Sequence, residues 1–252
     1  IGLGIPAEPL FRSRDNYLNF QLFRKALFSA VALVTALSIQ AGKYQNFKVS
    51  TYIRAQDVAR MADDKFLNQT WETVSTQVDL DKIYLETHRD AFTVDEKTML
   101  KVKKFFLSKG LEVGGGITYT RSEPTDFETY SYARADERQI VKEVAEYTAK
   151  LFDDFILDDF FFIDLKNDDE IAAKGSKSWT EYRLRLMADA GRELVVNPAK
   201  KVNPKVKVIV KYPNWYDHFH GLGFNLEEEP AYFDGIWTGT ETRDPAGAGL
   251  LT

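Results

Sequence analysis

The sequence predicts an α/β fold of the (β/α)8 TIM-barrel type, incomplete, with about six βα units visible. Three observations predict it. From residue 47 onward, short apolar runs alternate with helix-length amphipathic segments, the pattern of parallel strands joined by crossover helices. Several of the runs are almost continuously apolar, as strands covered on both faces are. Polar and aromatic groups gather where the runs end, and in a parallel barrel those ends share one rim.

The elements follow in order. Residues 47–53 read as a first strand, and a helix-like segment containing Val58, Met61 and Trp71 follows. Residues 82–86 form a second strand. Residues 95–109 form a helix, because Met99, Leu100, Val102, Phe105 and Phe106 make a stripe near the 3.6 period and Gly110 stands where a C-terminal glycine cap belongs. Residues 111–119 are a third strand with Gly114, Gly115 and Gly116 near its middle. A strong amphipathic helix spans 136–152, and the fourth strand spans 155–162. A long helix runs from Ser178 to about Val196, opened by a Ser178/Glu181 capping box and stopped by Pro198. Residues 205–212 and 233–238 are strands five and six.

No linker divides residues 47–252, so one domain is expected, running over 42–252. A closed barrel needs eight units. Six leave an incomplete and C-terminally truncated barrel, an open doubly wound sheet, or a sheet with a strand supplied by the leader; the incomplete barrel is favoured. Residues 1–41 differ from the rest. Arg12, Arg14, Arg24 and Lys25 precede an apolar run over 26–37, and Ser38 to Ala41 offers a small-residue exit. This is the order of a secretory signal, too short to span a bilayer, with a buried first helix as the competing reading. A secreted or extracellular protein with no stable membrane span is expected, or a cytoplasmic one if the run is a buried helix.

The net charge of -5 argues against a nucleic-acid partner, since neutralising phosphates needs a basic face. With no cysteine there is no disulfide, thiolate metal site or cysteine nucleophile. Aromatic residues make up 13% of the chain; most fill the core, and some can stack on sugar faces.

The strand ends carry the chemistry. Strand two ends in Glu86, His88, Arg89 and Asp90, strand three in Thr118 to Arg121, and strand four in Asp158 and Asp159. Strand five ends in Lys211, Tyr212 and Trp215, strand six in Glu241 and Arg243. Burying carboxylates costs several kcal/mol unless they are paired, so Asp158 and Asp159 point to function; capping a helix or pairing with Lys211 or Arg243 is the structural alternative. Strand alternation turns Asp158 inward with Ile156 and Asp159 toward the loop or the next strand. Asp158 is therefore expected to be the primary catalytic or substrate-binding carboxylate, with Asp159 its catalytic support and Glu241 the catalytic partner. Two carboxyl groups flanking a bond are what glycoside hydrolysis needs. Glu86 is in reserve. Glu86, His88, Arg89, Lys211, Tyr212, Trp215, Trp237 and Arg243 are the candidate substrate-binding residues, with Tyr212, Trp215 and Trp237 able to form a sugar-stacking platform.

The run Ile156-Leu157-Asp158-Asp159-Phe160-Phe161-Phe162 resembles the strand-four signature of the glycoside-hydrolase-like (β/α)8 barrel superfamily. Segments 84–89, 210–215 and 238–243 are similar to uncharacterised bacterial and fungal members. The resemblance covers roughly residues 47–245 and implies a glycosidase acting on a poly- or oligosaccharide. No cofactor and no metal is expected. Two other functions stay open: a non-catalytic carbohydrate-binding protein on a degenerate barrel, and a metal-dependent hydrolase using His88, His218 and His220 with the aspartates. A phosphate-binding role for Gly114 to Gly116 is weaker, because no Gly-Lys-Ser/Thr follows; close packing is the better cause.

Overall fold

The computed structural model of the chain describes Tyr44 and residues 46–122, 127–213 and 219–239. The chain divides into two compact units, Ile1–Phe47 and Lys48–Thr252. All described strands and helices belong to the second; the apolar run at 26–37 lies outside the described residues.

The elements begin with β1 (Ser50–Ile53), α1 (Ala55–Arg60), α2 (Asp64–Ser75), β2 (Lys82–Arg89), the two-residue β3 (Phe92–Thr93) and α3 (Glu96–Ser108). Next come β4 (Glu112–Ile117), the hairpin of β5 (Thr120–Ser122) and β6 (Glu128–Thr129), α4 (Ala135–Leu151) and β7 (Asp154–Leu157). The series ends with α5 (Asp168–Lys174), α6 (Trp179–Ala190), α7 (Asn197–Val202), β8 (Lys207–Tyr212), α8 (Phe219–Leu222) and β9 (Gly235–Thr238).

Capping chemistry sets several helix ends. Asp63 and Asp95 accept the Phe66 and Thr98 backbone N–H groups at the starts of α2 and α3. Gly110, at φ 82°, takes the left-handed position after α3. Ser178 and Glu181 form the expected capping box at the start of α6.

Six strands pair in parallel in the order β1-β2-β4-β7-β8-β9, with β3 antiparallel to β2. The order follows the chain and never reverses. A doubly wound sheet has a reversal point where its strand order switches, so the open doubly wound alternative is set aside. The sheet curls. Tyr84 on β2 and Trp237 on β9 pack edge to face with ring centroids 5.2 Å apart, although four strand spacings, about 19 Å in a flat sheet, separate their strands. Among the described residues the architecture is a curled parallel sheet with helices on its outside, an incomplete barrel with six parallel strands.

The glycines of β4 make the curl possible. A Cβ on Gly114 would lie 2.8 Å from the Tyr84 ring, and one on Gly116 2.4 Å from the Tyr52 ring. On the outer side, a Cβ on Gly115 would meet Phe152 at 2.7 Å and Thr148 at 2.8 Å. Two tyrosines thus fold over the inner face of β4 while α4 presses on its back. Close packing is the observed role of these glycines.

Outward-facing residues build the core. Ile83 and Leu85 pack with α1, α2 and α3. Phe155, Leu157, Val208 and Val210 pack with α4, α6 and α7. No helix among the described residues is long and apolar enough to cross a membrane.

Three expectations are corrected. The segment after β1 is two helices, not one. The fourth strand stops at Leu157 rather than at 162, and Phe161 donates back to the Asp158 carbonyl at 3.3 Å. Phe161 and Phe162 are apolar because they are buried over the strand end, not because they pair in the sheet. Pro198 does not stop its helix: residues Gly191–Val196 form a π-helical turn, and α7 continues through the proline. A π turn leaves a carbonyl without an i+4 partner, which accommodates a residue that has no N–H.

Candidate active site

The site begins with an irregularity in β2. Glu86 pairs with Gly116 and His88 with Ile117, so Thr87 is an extra residue in the ladder. Residues three apart on a regular strand face opposite sides. The bulge resets the alternation, and Glu86 and Arg89 both reach the inner face. Thr87 points the other way, its hydroxyl bonded to the Gly116 carbonyl at 3.0 Å and to Thr148 Oγ1 at 2.6 Å.

Glu86 is fully buried. It accepts from Tyr52 OH at 2.8 Å, from the Ala55 N–H at 2.6 Å, from Arg89 Nε at 2.9 and 3.1 Å, and from the Thr118 hydroxyl. Burial pushes its pKa up; the bonds from Arg89, Thr118 and Ala55 oppose that shift without cancelling it. Burial also pulls Arg89 down, but the hydrogen bonds and charge of Glu86, with the charge of Asp158, outweigh it and keep the guanidinium charged. Arg89 Nη2 then donates to Thr118 Oγ1 at 3.0 Å and to Asp158 Oδ2 at 3.1 Å. The single Thr118 proton goes to Glu86, so that hydroxyl acts as an acceptor for Arg89.

Asp158 follows the last residue of β7, its N–H donating to the Ile117 carbonyl at 2.9 Å. Lys211 Nζ lies 3.3 Å from Asp158 Oδ1 and 3.0 Å from Asp159 Oδ2. Strand alternation was expected to part the two aspartates. It does not hold there, because the chain is already turning at Asp158, and both carboxylates converge on one ammonium. Trp237 pairs with Lys211 across the β8–β9 ladder and is 38% exposed. The inner row therefore reads Arg89, Thr118, Asp158, Lys211, Trp237. It lies at the C-terminal ends of the parallel strands, where barrel sites form.

Other candidates lie elsewhere. Tyr212, next to Lys211 on β8, faces outward into the core and donates to Glu229 Oε2 at 2.7 Å. The expected platform of Tyr212 with Trp237 is corrected by simple alternation. His88 is 2% exposed, its ring nitrogens 2.8 Å from Thr93 Oγ1 and 3.0 Å from Tyr130 OH. Burial lowers its pKa to about 4, and its place against β3 and Tyr130 takes it out of reach of a ligand. Among the described residues no group of three or more His, Asp or Glu is placed to hold a metal ion. Glu241, Trp215, Arg243 and His218 lie outside the described residues.

Sequence reasoning missed Tyr52 as a member of the network, and placed Thr118 at a strand end without giving it a role. The signal for Tyr52 was Gly116, whose missing side chain leaves the space that its ring fills.

Residues 36–252 match the family described as "Probable glycosyl hydrolase, catalytic domain". The chain belongs to this family. The chain is also 30% identical over 228 residues to an uncharacterized protein of Saccharolobus solfataricus, a match covering 79% of this chain and 38% of that protein. The chain thus spans well under half the length of that relative. Among solved structures, the domain is similar to a β-glucosidase from Thermotoga maritima in complex with castanospermine. That likeness has a TM-score of 0.38 and 10% identity, covering 63% of this chain and 42% of that one. It is also similar to the virulence factor SghA from Agrobacterium tumefaciens, with a TM-score of 0.35 and 12% identity, covering 64% of this chain and 38% of that one.

Proposed function

We propose that this domain hydrolyses glycosidic bonds in a poly- or oligosaccharide, with Asp158 as the carboxylate that acts as nucleophile or base. The observation that carries this reading is the position of Asp158 on the open inner face, held by Arg89 at 3.1 Å and Lys211 at 3.3 Å. The two cations grip one carboxylate oxygen each and so fix the orientation that a nucleophile or base at a glycosidic bond must hold.

Glu86 is too deeply enclosed to touch a substrate. Its role in this reading is to position Arg89, which in turn orients Asp158. Asp159 fixes Lys211. The proton for the leaving oxygen comes from a second carboxyl, assigned to Glu241 beyond β9. Trp237, exposed in the same row, offers a face for the sugar ring.

The test is hydrolysis of a polysaccharide panel by the full chain, by Asp158→Asn and by Glu241→Gln. Each variant is expected to lose roughly 10²–10⁴-fold in rate. Undiminished cleavage by both removes the assignment.

A further inference from the structure

The turn that follows Asp158 and Asp159 carries an aromatic residue at once, Phe160, and its ring is not alone. Phe160 stacks on Phe127 with ring centroids 4.9 Å apart and planes inclined by only 19°. Phe160 is partly buried against the main core and packs 6.0 Å from Phe162, so its back is anchored. Phe127 is 44% exposed. It also has φ 57°, the left-handed region that a bulky side chain rarely adopts and a glycine holds without strain. Folding therefore leaves nearly half of a large apolar ring in solvent on a strained backbone, held only by the stack on Phe160 among the contacts described.

Topology puts this stack beside the site. Phe127 stands at the turn of the β5–β6 hairpin, which leaves the C-terminal end of β4, and Phe160 leaves the C-terminal end of β7. β4 and β7 are neighbours in the sheet. The stack rises on the same rim as the carboxylates, one residue beyond Asp159. Trp237 reaches the carboxylate row from β9, on the far side of β8.

We propose that the Phe127–Phe160 stack is a second sugar-ring subsite, so that the substrate is an oligosaccharide or polysaccharide with one ring near Trp237 and another on the phenylalanines. The apolar C–H face of a pyranose packs on an aromatic face, whose negative quadrupole attracts those hydrogens. The proposal rests on the glycosidase reading for which rings flank the bond, but its binding claim is measured separately.

The full chain is titrated calorimetrically with cellotetraose, xylotetraose, laminaritetraose and maltotetraose, with the matching monosaccharides, and with 4-nitrophenyl monoglycosides. At least one tetraose is expected to bind more tightly than its monosaccharide. Phe160→Ala and Phe127→Gly each weaken that tetraose by about ten-fold or more while leaving the monosaccharide unchanged. Phe127→Gly also relieves the backbone, so its melting temperature stays level or rises; this variant keeps the test open should Phe160→Ala fold poorly. A tetraose affinity within two-fold of wild type in Phe127→Gly overturns the proposal. So does a panel in which no tetraose binds better than its monosaccharide, and so does a loss confined to the 4-nitrophenyl glycosides. An Asp158→Asn variant that hydrolyses sugar at the wild-type rate defeats the Asp158 assignment instead, and a full chain that hydrolyses none defeats the glycosidase reading; both leave these binding results standing.

Discussion

Arg89 Nε donates to Glu86 Oε2 at 2.9 Å, although the two residues lie an odd number of positions apart on one strand. Only the extra residue at Thr87 makes this contact possible. The pair is buried, with Glu86 fully enclosed, so removing the cation leaves an uncompensated carboxylate inside the protein. Arg89→Met is expected to destabilise the fold by roughly 3–5 kcal/mol, read as a lower urea midpoint at neutral pH. The deficit shrinks in acid, where Glu86 takes up a proton. Arg89→Lys recovers little, because one ammonium cannot reproduce the fork to Glu86, Thr118 and Asp158. Equal stability of wild type and Arg89→Met at pH 7 contradicts this account.

Lys211 joins two carboxylates that are adjacent in sequence. Replacing it by methionine keeps much of the apolar stem and removes the ammonium that both carboxylates contact. The two carboxylates then lose a shared partner, and Lys211→Met is expected to cost the domain about 1–3 kcal/mol in denaturant titration and to slow hydrolysis. Wild-type stability in Lys211→Met contradicts the bridging role.

Gly116 faces the Tyr52 ring, and an added Cβ would stand 2.4 Å from it. Gly116→Ala is expected to cost about 1–3 kcal/mol through overpacking. Because the clash is with one side chain, Tyr52→Leu in the same molecule recovers part of it, although Glu86 then loses the phenol bond. Denaturant titration of both single variants and the double variant gives the coupling. Strict additivity means the alanine is not meeting Tyr52.

The same particulars show what the sequence disclosed. Strand alternation and helical period were legible because each reflects local burial, and the sequential parallel order followed from the helix-length connections. Asp158 stood out as a candidate because a carboxylate next to an apolar run is costly wherever it occurs. The extent of the fourth strand was misread because burial of Phe161 and Phe162 mimics pairing in a one-dimensional pattern. The bulge at Thr87 left no mark in composition, so the partnership of Glu86 with Arg89 could not be seen before the register was known. Tyr212 was read as rim because its sequence position is one; its direction depends on parity relative to Lys211. Phe160 hid in an apolar run, and Phe127 lies far from it in sequence.

Two buried groups give the stability of this domain an unusual dependence on pH. Burial pushes Glu229 up from the usual 4.5 to about 8; Tyr212 OH bonds one oxygen, and the other has no partner among the described residues. Burial lowers His88 from 6.5 to about 4. Between about pH 4 and 6.5 the unfolded chain binds a proton at His88 that the folded chain lacks, so this group makes stability rise with pH. Between about pH 4.5 and 8 the folded chain holds a proton on Glu229 that the unfolded chain has lost, so this group makes stability fall. The slopes are about 1.4 kcal/mol per pH unit each and opposite in sign. They offset one another up to about pH 6.5, and above that Glu229 acts alone, lowering stability by about 2 kcal/mol by pH 8. Glu229→Gln keeps an acceptor for Tyr212 and removes the titration. The difference in unfolding free energy between the variant and the wild type is therefore expected to grow in favour of glutamine from about pH 4.5 to 8 and then level off. A difference that stays constant across that range means Glu229 is ionised in the folded protein at neutral pH, with a partner that stabilises its charge.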